Sequence, residues 1–179
     1  MRYERLGVTE LTAGPASGTH TRFFTHPGMT NLTTGAGTDS AAVAGSRWTA
    51  KIFIPHSCTL TGIGYLIGSV GGTDKVIVEL HDAAGKLVAA SARAGVTVGT
   101  AATMQEVPFT QTYGVNGPAY FYITVIMNGT TGKLRTMAVA TPAAYIQNTA
   151  YATGTFGTDA DYTPPTTFTA DYGPVAYTY

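Results

Sequence analysis

The chain has 179 residues, of which 11% are charged and 44% are hydrophobic, and ten basic residues balance ten acidic ones. This composition is unlike that of a disordered chain, which combines high net charge with few apolar residues. Nucleic-acid binders normally carry a basic surplus that neutralises phosphates, so we expect no nucleic-acid partner.

The length fits one domain with an additional arm. Cys58 is the only cysteine, which excludes an intrachain disulfide. The first residues lack the apolar stretch of a signal peptide, and no apolar run approaches the roughly 18 residues of a membrane helix. We therefore expect synthesis in the cytoplasm and no membrane partner.

Residues 1–45 differ from the rest because Gly, Thr, Ser and Pro dominate them. We interpret them as an extended N-terminal arm and residues 46–179 as the folded domain. Phe23 and Phe24 could each bury about 150 to 250 Å² of surface, so leaving them in water is unfavourable. We predict that the arm is anchored through Phe23, Phe24, Met29 and Leu32, on its own body or on a neighbour. A free tail is the alternative.

From residue 47 onward, alternating apolar residues predict short strands separated by turns. Trp48, Ile52 and Ile54 fall on one face of the first strand. The apolar segment 119–127 predicts a central strand, and Pro108 predicts an edge strand or a bulge. The predicted strands cover residues 48–54, 59–68, 75–82, 87–92, 104–109, 119–127, 133–139 and 174–179.

Seven or eight short strands at this spacing, without sustained helical periodicity, predict an all-β fold. Thr and Tyr favour strands, and Gly marks the turns between them. The simplest packing is an antiparallel two-sheet β-sandwich, jelly-roll-like, that follows the N-terminal arm.

The sequence contains few candidates for chemistry. Glu79 and His81 share a strand face and could form an acid–base pair or half of a metal site, but we interpret them as part of a solvated strand face. Cys58 lacks the surroundings of a nucleophile and is interpreted as a small buried hydrophobe. Asp159 and Asp161 are too few for a calcium loop. We therefore predict no catalytic residue, no metal and no cofactor.

Aromatic residues crowd the last part of the chain, among Thr and Gly. They could form a surface that stacks on carbohydrate, a subunit interface, or ordinary packing between strands and loops. The residues that we predict for an interface or for glycan contact are Tyr162, Phe168, Tyr172, Tyr177 and Tyr179.

Several short segments of turn and core residues lie in the region from Trp48 to about Val139: 52–55, 61–65, 68–75, 80–85 and 129–132. With these segments, the region resembles β-sandwich domains of tailed-phage structural proteins. The resemblance implies a component of the virion surface, such as a capsid decoration protein, a head fibre or a tail accessory protein, that works without catalysis. It carries over no functional residues.

We therefore hypothesise a non-enzymatic virion protein, most simply a capsid decoration or cement protein anchored through its arm. The expected partners are sister subunits in a symmetric homo-oligomer such as a trimer, and the major capsid protein or other virion proteins. The expected location is the virion surface, after synthesis in the host cytoplasm. A carbohydrate-binding module of a tail or adhesion device is the alternative, and a hydrolase with an unrecognised site is a third hypothesis.

Overall fold

The computed structural model describes residues 22–25, 37–40, 44–137, 148–158 and 160–179, and these residues are all-β, as the sequence predicted. No helix among them is long and apolar enough to span a membrane. The strands are β1 (Phe23–Phe24), β2 (Thr38–Asp39), β3 (Ser46–Ile54), β4 (Cys58–Leu66), β5 (Lys75–Asp82), β6 (Leu87–Ala90), β7 (Val96–Thr97), β8 (Met104–Val115), β9 (Ala119–Met127), β10 (Arg135–Thr136), β11 (Thr149–Thr153) and β12 (Ala176–Thr178).

The strands form two large antiparallel sheets. The four-stranded sheet has the order β1-β12-β4-β8, and the six-stranded sheet has the order β11-β3-β9-β5-β6, with β7 also paired to β5. A separate two-stranded sheet joins β10 to β2. β9 lies between β3 and β5, which confirms the central strand predicted at 119–127. The two large sheets are consistent with the predicted β-sandwich.

Four antiparallel pairs are nested along the chain. β5 pairs with β6, β4 with β8, β3 with β9 and β1 with β12, so each pair encloses the previous one in sequence. The innermost pair turns at Gly85, whose φ of 86° is one that glycine adopts at little cost because it has no Cβ. The outermost pair brings the two ends of the described chain together.

The main hydrophobic core takes side chains from both large sheets. Trp48, Ile52 and Ile54 lie in it, as their alternation along the first predicted strand indicated. Val76 and Val78 of β5 lie in the same cluster, whereas the residues between them point to the other face of the sheet. The alternation of the sequence therefore identifies the inner face of each sheet.

Contact between the edge strands β6 and β8 closes one side of the sandwich. Ser91, just after β6, forms an antiparallel bridge with Phe109 of β8. The Ser91 N–H donates to the carbonyl oxygen of Val78 (3.0 Å), and its hydroxyl accepts from the Val78 N–H (2.9 Å). The Thr110 hydroxyl donates to the carbonyl oxygen of Ala90 (3.1 Å). The strands β1 and β11 lie at the opposite ends of their sheets.

The edge strand β8 is longer than the sequence predicted. It continues to Val115, beyond the end predicted at residue 109. Pro108 lies opposite Gly62, beside an irregularity in the register between Leu60 and Gly62. The prediction of an edge strand or a bulge at Pro108 is therefore confirmed, because β8 is an edge strand and the bulge lies opposite it.

Parts of the predicted arm pair with the body. β1 pairs with β12 and β2 pairs with β10, so residues 22–25 and 37–40 belong to the packed structure. Met29 and Leu32 lie outside the described residues. The strand predicted at 133–139 is reduced to Arg135–Thr136, because β10 has only the two-residue β2 as its partner, and residues 138 and 139 also lie outside the described part.

Two glycines of β4 make room for tyrosine rings on the outer face of the four-stranded sheet. Gly64 lies opposite Tyr177, and a Cβ at this position would overlap the Tyr177 ring. Gly62 has the same relation to the ring of Tyr179. The Tyr177 ring is held in place because its hydroxyl donates to Glu106 Oε1 (2.7 Å). Glycine is therefore required here for close approach of the ring.

We expect Gly64→Ala to lower the free energy of unfolding by about 1–3 kcal/mol, because the added methyl group must displace the Tyr177 ring. Chemical denaturation monitored by tyrosine fluorescence measures this loss. The control is Gly114→Ala in β8, where a Cβ would meet no atom within 4 Å. Equal losses in the two variants would contradict the assigned role of Gly64.

Candidate functional site

The outer face of the six-stranded sheet carries a buried group of polar residues, here called the polar cluster. Glu79 and His81 of β5 are both 0% exposed, so the interpretation of a solvated strand face is wrong. The sequence could not show this burial, because the residues that cover the face come from a distant segment. The polar cluster consists of Arg47, Thr49, Glu79, His81, Arg93, Thr124 and Tyr162.

Residues 154–158 and 160–165, here called the covering segment, lie over the polar cluster. The Tyr162 N–H donates to the carbonyl oxygen of Gly85 (3.0 Å), and the Asp161 carboxylate accepts from the Leu87 N–H (2.8 Å). The Tyr162 ring packs edge-on against the ring of His81, with centroids 4.6 Å apart. The covering segment is thus attached to the turn between β5 and β6 as well as to the cluster.

The local sequence explains why the covering segment is irregular. Gly157 has a φ of 86°, in the left-handed region that favours glycine. Pro164 and Pro165 lack an N–H group, so they cannot donate within a strand ladder. The carbonyl oxygen of Pro165 instead accepts a hydrogen bond from the Tyr122 hydroxyl (3.4 Å). The segment therefore crosses the sheet without adding a strand to it.

Charged groups meet inside the polar cluster. Arg93 Nη1 lies 2.6 Å from Glu79 Oε1, and His81 Nε2 lies 3.6 Å from Glu79 Oε2. Burial raises the pKa of Glu79, although Arg93 and Arg47 act in the opposite direction. Burial is also the main cause that lowers the pKa of His81, to about 4, while its contact with the Ala160 carbonyl acts in the opposite direction. His81 is therefore neutral near pH 7.

Among the described residues, several buried atoms of the cluster have no hydrogen-bond partner. They include Glu79 Oε2, His81 Nδ1 and Arg47 Nε. A buried polar group without a partner costs about 1–3 kcal/mol. An apolar layer of the same shape would avoid this cost. We therefore interpret the cluster as a group that fixes the position of the covering segment, because His81 Nε2 contacts the carbonyl oxygen of Ala160 (3.3 Å), rather than as a source of net stability.

The geometry limits the chemistry of Glu79 and His81. With the covering segment in place both side chains are fully buried, so a substrate in solution cannot contact them. No group of three His, Cys, Asp or Glu side chains in the described parts of the chain is arranged to hold a metal ion. Cys58 is half-buried, packs against the main core and has a pKa that burial raises, which disfavours the reactive thiolate.

A second arrangement joins the two ends of the described chain, and we call it the terminal clasp (Arg22–Thr25 with Glu106 and β12). Arg22 Nη2 lies 2.9 Å from Glu106 Oε1, and the guanidinium lies 4.7 Å above the centre of the Tyr177 ring. The Phe24 ring packs on Tyr177, with centroids 5.3 Å apart. Phe23 points to the other face and is buried in the main core, edge-on to His56.

The aromatic residues predicted for an interface or glycan contact do not form one surface. Tyr177 and Tyr179 lie together on the four-stranded sheet, with centroids 6.2 Å apart, whereas Tyr162 lies over the six-stranded sheet. Phe168 is half-buried beside a small second core. Tyr177 is 3% exposed, and Tyr172 is the one member of the set that is clearly exposed, at 39%.

The outer face of the six-stranded sheet also carries an exposed aromatic pair that the sequence did not predict. Phe53 and Tyr120 lie opposite each other on β3 and β9, are 47% and 49% exposed, and have ring centroids 4.9 Å apart. The Lys51 ammonium lies 4.1 Å from the centre of the Tyr120 ring. The alternation could have found Phe53, since it lies on the opposite face from Ile52 and Ile54.

Comparison with known proteins adds no relative. No family model, no curated protein and no solved structure matches the chain. The arguments for function therefore rest on the residues and geometry described above.

We expect stability to fall between pH 6.5 and pH 4 because of His81. Its pKa is about 4 when folded and 6.5 ordinarily, so the unfolded chain gains a proton that the folded chain resists. Compared with its value above pH 6.5, the free energy of unfolding therefore decreases as the pH falls towards 4, by up to about 3 kcal/mol. Glu79 acts in the opposite direction, because its raised pKa favours the folded state on acidification.

Denaturant titrations at pH 7 and pH 4.5 measure the effect. His81→Gln should lose less stability on acidification than the wild type, whatever its stability at pH 7. The control is His56→Gln, which changes an exposed histidine and should keep the wild-type dependence. The assignment to His81 fails if His81→Gln retains the full pH dependence.

Proposed function

We propose that this chain is a non-enzymatic structural protein of a virion, a capsid decoration protein that works as a homo-oligomer on the particle surface. The observation that supports this role most is the terminal clasp, in which an extended N-terminal segment adds a strand to a β-sandwich. Strand addition combines main-chain hydrogen bonds with side-chain pockets, and it is a common way to attach a peptide to a sheet edge.

We also propose that the sandwich is a jelly roll. The eight strands that form the nested pairs can be numbered one to eight in chain order, leaving out β2, β7, β10 and β11. The two large sheets then have the orders 1-8-3-6 and 2-7-4-5. The pairing of one with eight, two with seven, three with six and four with five is the nested pattern of a jelly roll. This architecture is used in viral capsid domains and also in lectin domains and cupins. It supports the proposed role without selecting it, because a fold hosts many functions.

Charge and burial support a role in assembly. The net charge is zero, and a protein without net charge gains little electrostatic repulsion between its copies. The titratable pair Glu79–His81 is closed to solvent, in agreement with a role other than catalysis. In this proposal the protein is made in the host cytoplasm and binds the major capsid protein or another virion protein through residues of its N-terminal arm.

Deletion of residues 1–21 tests the anchoring role, because it leaves in place the described arm residues that pair with the body, 22–25 and 37–40. We expect the 22–179 chain to fold, with a thermal midpoint close to that of the full chain, and to lose at least tenfold of its binding to virus particles. The measurement is co-sedimentation with particles from cells that encode the chain. A second variant, Met29→Ala with Leu32→Ala, tests the remaining predicted anchors.

The matched control is Lys86→Ala, which changes an exposed residue of the β5–β6 turn and should leave particle binding unchanged. Normal binding by both the 22–179 chain and the Met29/Leu32 variant would exclude anchoring through residues 1–21, Met29 and Leu32.

The exposed pair Phe53–Tyr120 favours a second candidate function, carbohydrate binding. Two solvent-facing rings with a nearby ammonium offer apolar faces and a hydrogen-bond donor to a sugar. If this function is correct, Phe53→Ala and Tyr120→Ala each reduce binding on a glycan array at least tenfold, whereas Lys86→Ala changes an exposed residue outside the pair and serves as the control. A wild-type chain that binds no glycan on the array would exclude this candidate.

A further inference from the structure

The terminal clasp has the properties of a peptide bound in a groove. The body supplies the edge of β12, the Tyr177 ring and the Glu106 carboxylate. The segment Arg22–Thr25 pairs with this edge and places side chains on both faces of the sheet. Phe23 enters the core while Phe24 covers the outer face. This alternation is how an extended peptide is recognised at a sheet edge.

The main core and the backbone edge of β12 are covered only when a segment occupies the groove. Phe23 is 8% exposed within the main core, and the buried hydroxyl of Thr25 lies within hydrogen-bond distance of the carbonyl oxygens of Pro174 (2.8 Å) and Ala176 (3.1 Å). Without the segment, β12 would present an open backbone edge next to an exposed part of the core. Any copy whose own segment leaves therefore gains from binding another.

The connection to the rest of the chain is longer than the gap it crosses. Thr25 contacts Pro174 and Ala176, and Gly37 lies against Thr136 and Val175, so both ends of residues 26–36 lie beside the same short segment, 174–176. These eleven residues could span at most about 36–40 Å when extended. Their length is thus sufficient for the segment to reach the groove of a neighbouring copy.

We propose that Arg22–Thr25 exchanges between copies, so that the segment of one chain occupies the groove of a second chain of the same sequence. The contacts are the same within one chain and between two, so exchange costs no interaction of the clasp. Each exchanged segment stays attached to its own body through residues 26–36 and is held by non-covalent contacts in the groove of the other body. The inference rests on the proposed function, in which copies assemble through their arms, and it names the surface and the partner: the β12 groove and a second copy.

A disulfide between copies tests the exchange. Phe24 lies opposite Tyr177 in the β1–β12 register, which places their Cα atoms within the range that a disulfide can bridge. One variant carries Phe24→Cys and the other carries Tyr177→Cys, both with Cys58→Ser. Each has a single cysteine, so a bond between positions 24 and 177 forms only between two chains. The full-length variants are mixed, refolded together and oxidised, and non-reducing gel electrophoresis and mass spectrometry measure the heterodimer.

We expect at least ten times more heterodimer than in a control mixture of Phe24→Cys with Lys86→Cys, which reports random collisions at an exposed position. A second mixture, Arg22→Cys with Tyr179→Cys, uses the next position of the register, where the side chains are more exposed and folding is less disturbed. Heterodimer at the control level in both mixtures overturns the proposal. Loss of particle binding on deletion of residues 1–21 is measured separately and does not depend on exchange, so the two proposals fail independently.

Discussion

The position of β12 between β1 and β4 is the constraint on which the rest of this structure depends. The four-stranded sheet is complete only when a strand near the N-terminal end and a strand at the C-terminal end meet, since Phe23 pairs with Thr178. Because such pairs are far apart in the sequence, bringing them together costs a large amount of chain entropy, which slows folding. Once the pair has formed, the Phe23 side chain is buried in the main core. The inner hairpin β5–β6 is local, and each outer pair then encloses it.

The two sheets bury their outer faces by different chemistry. On the four-stranded sheet, tyrosine rings lie over glycines, and the polar end of Tyr177 is satisfied by Glu106. On the six-stranded sheet, ionisable groups lie beneath an irregular segment. Because Glu79 and most of Arg47 are buried there, part of the small charge content of the chain is internal. The solvent-facing surface of the described residues therefore has fewer charges than the composition suggests.

Alternation predicted much of the fold because it reports burial on one side of a strand. It identified the inner faces of β3 and β5, and the apolar segment 119–127 identified the central position of β9. It failed where burial comes from distant parts of the chain. Glu79 and His81 have the pattern of a solvated face, and no local signal announces that Tyr162 will cover them. In the same way, Phe23 and Phe24 predicted docking without naming its place, since that place is a strand more than 150 residues away.

The bridge between Ser91 and Phe109 holds one side of the two large sheets together more firmly than the other side is held. Ser91 is bonded to β5 through both its N–H and its hydroxyl and touches β8, so the side of β6 and β8 is held by backbone groups of three strands. The other side depends on two short edge strands, β1 with two residues and β11 with five. Fluctuations of low free energy thus begin at β1 and β11, and amide protons near Ser91 exchange with solvent last. We therefore expect the two sheets to separate first at the side of the chain ends, while the side at Ser91 stays closed.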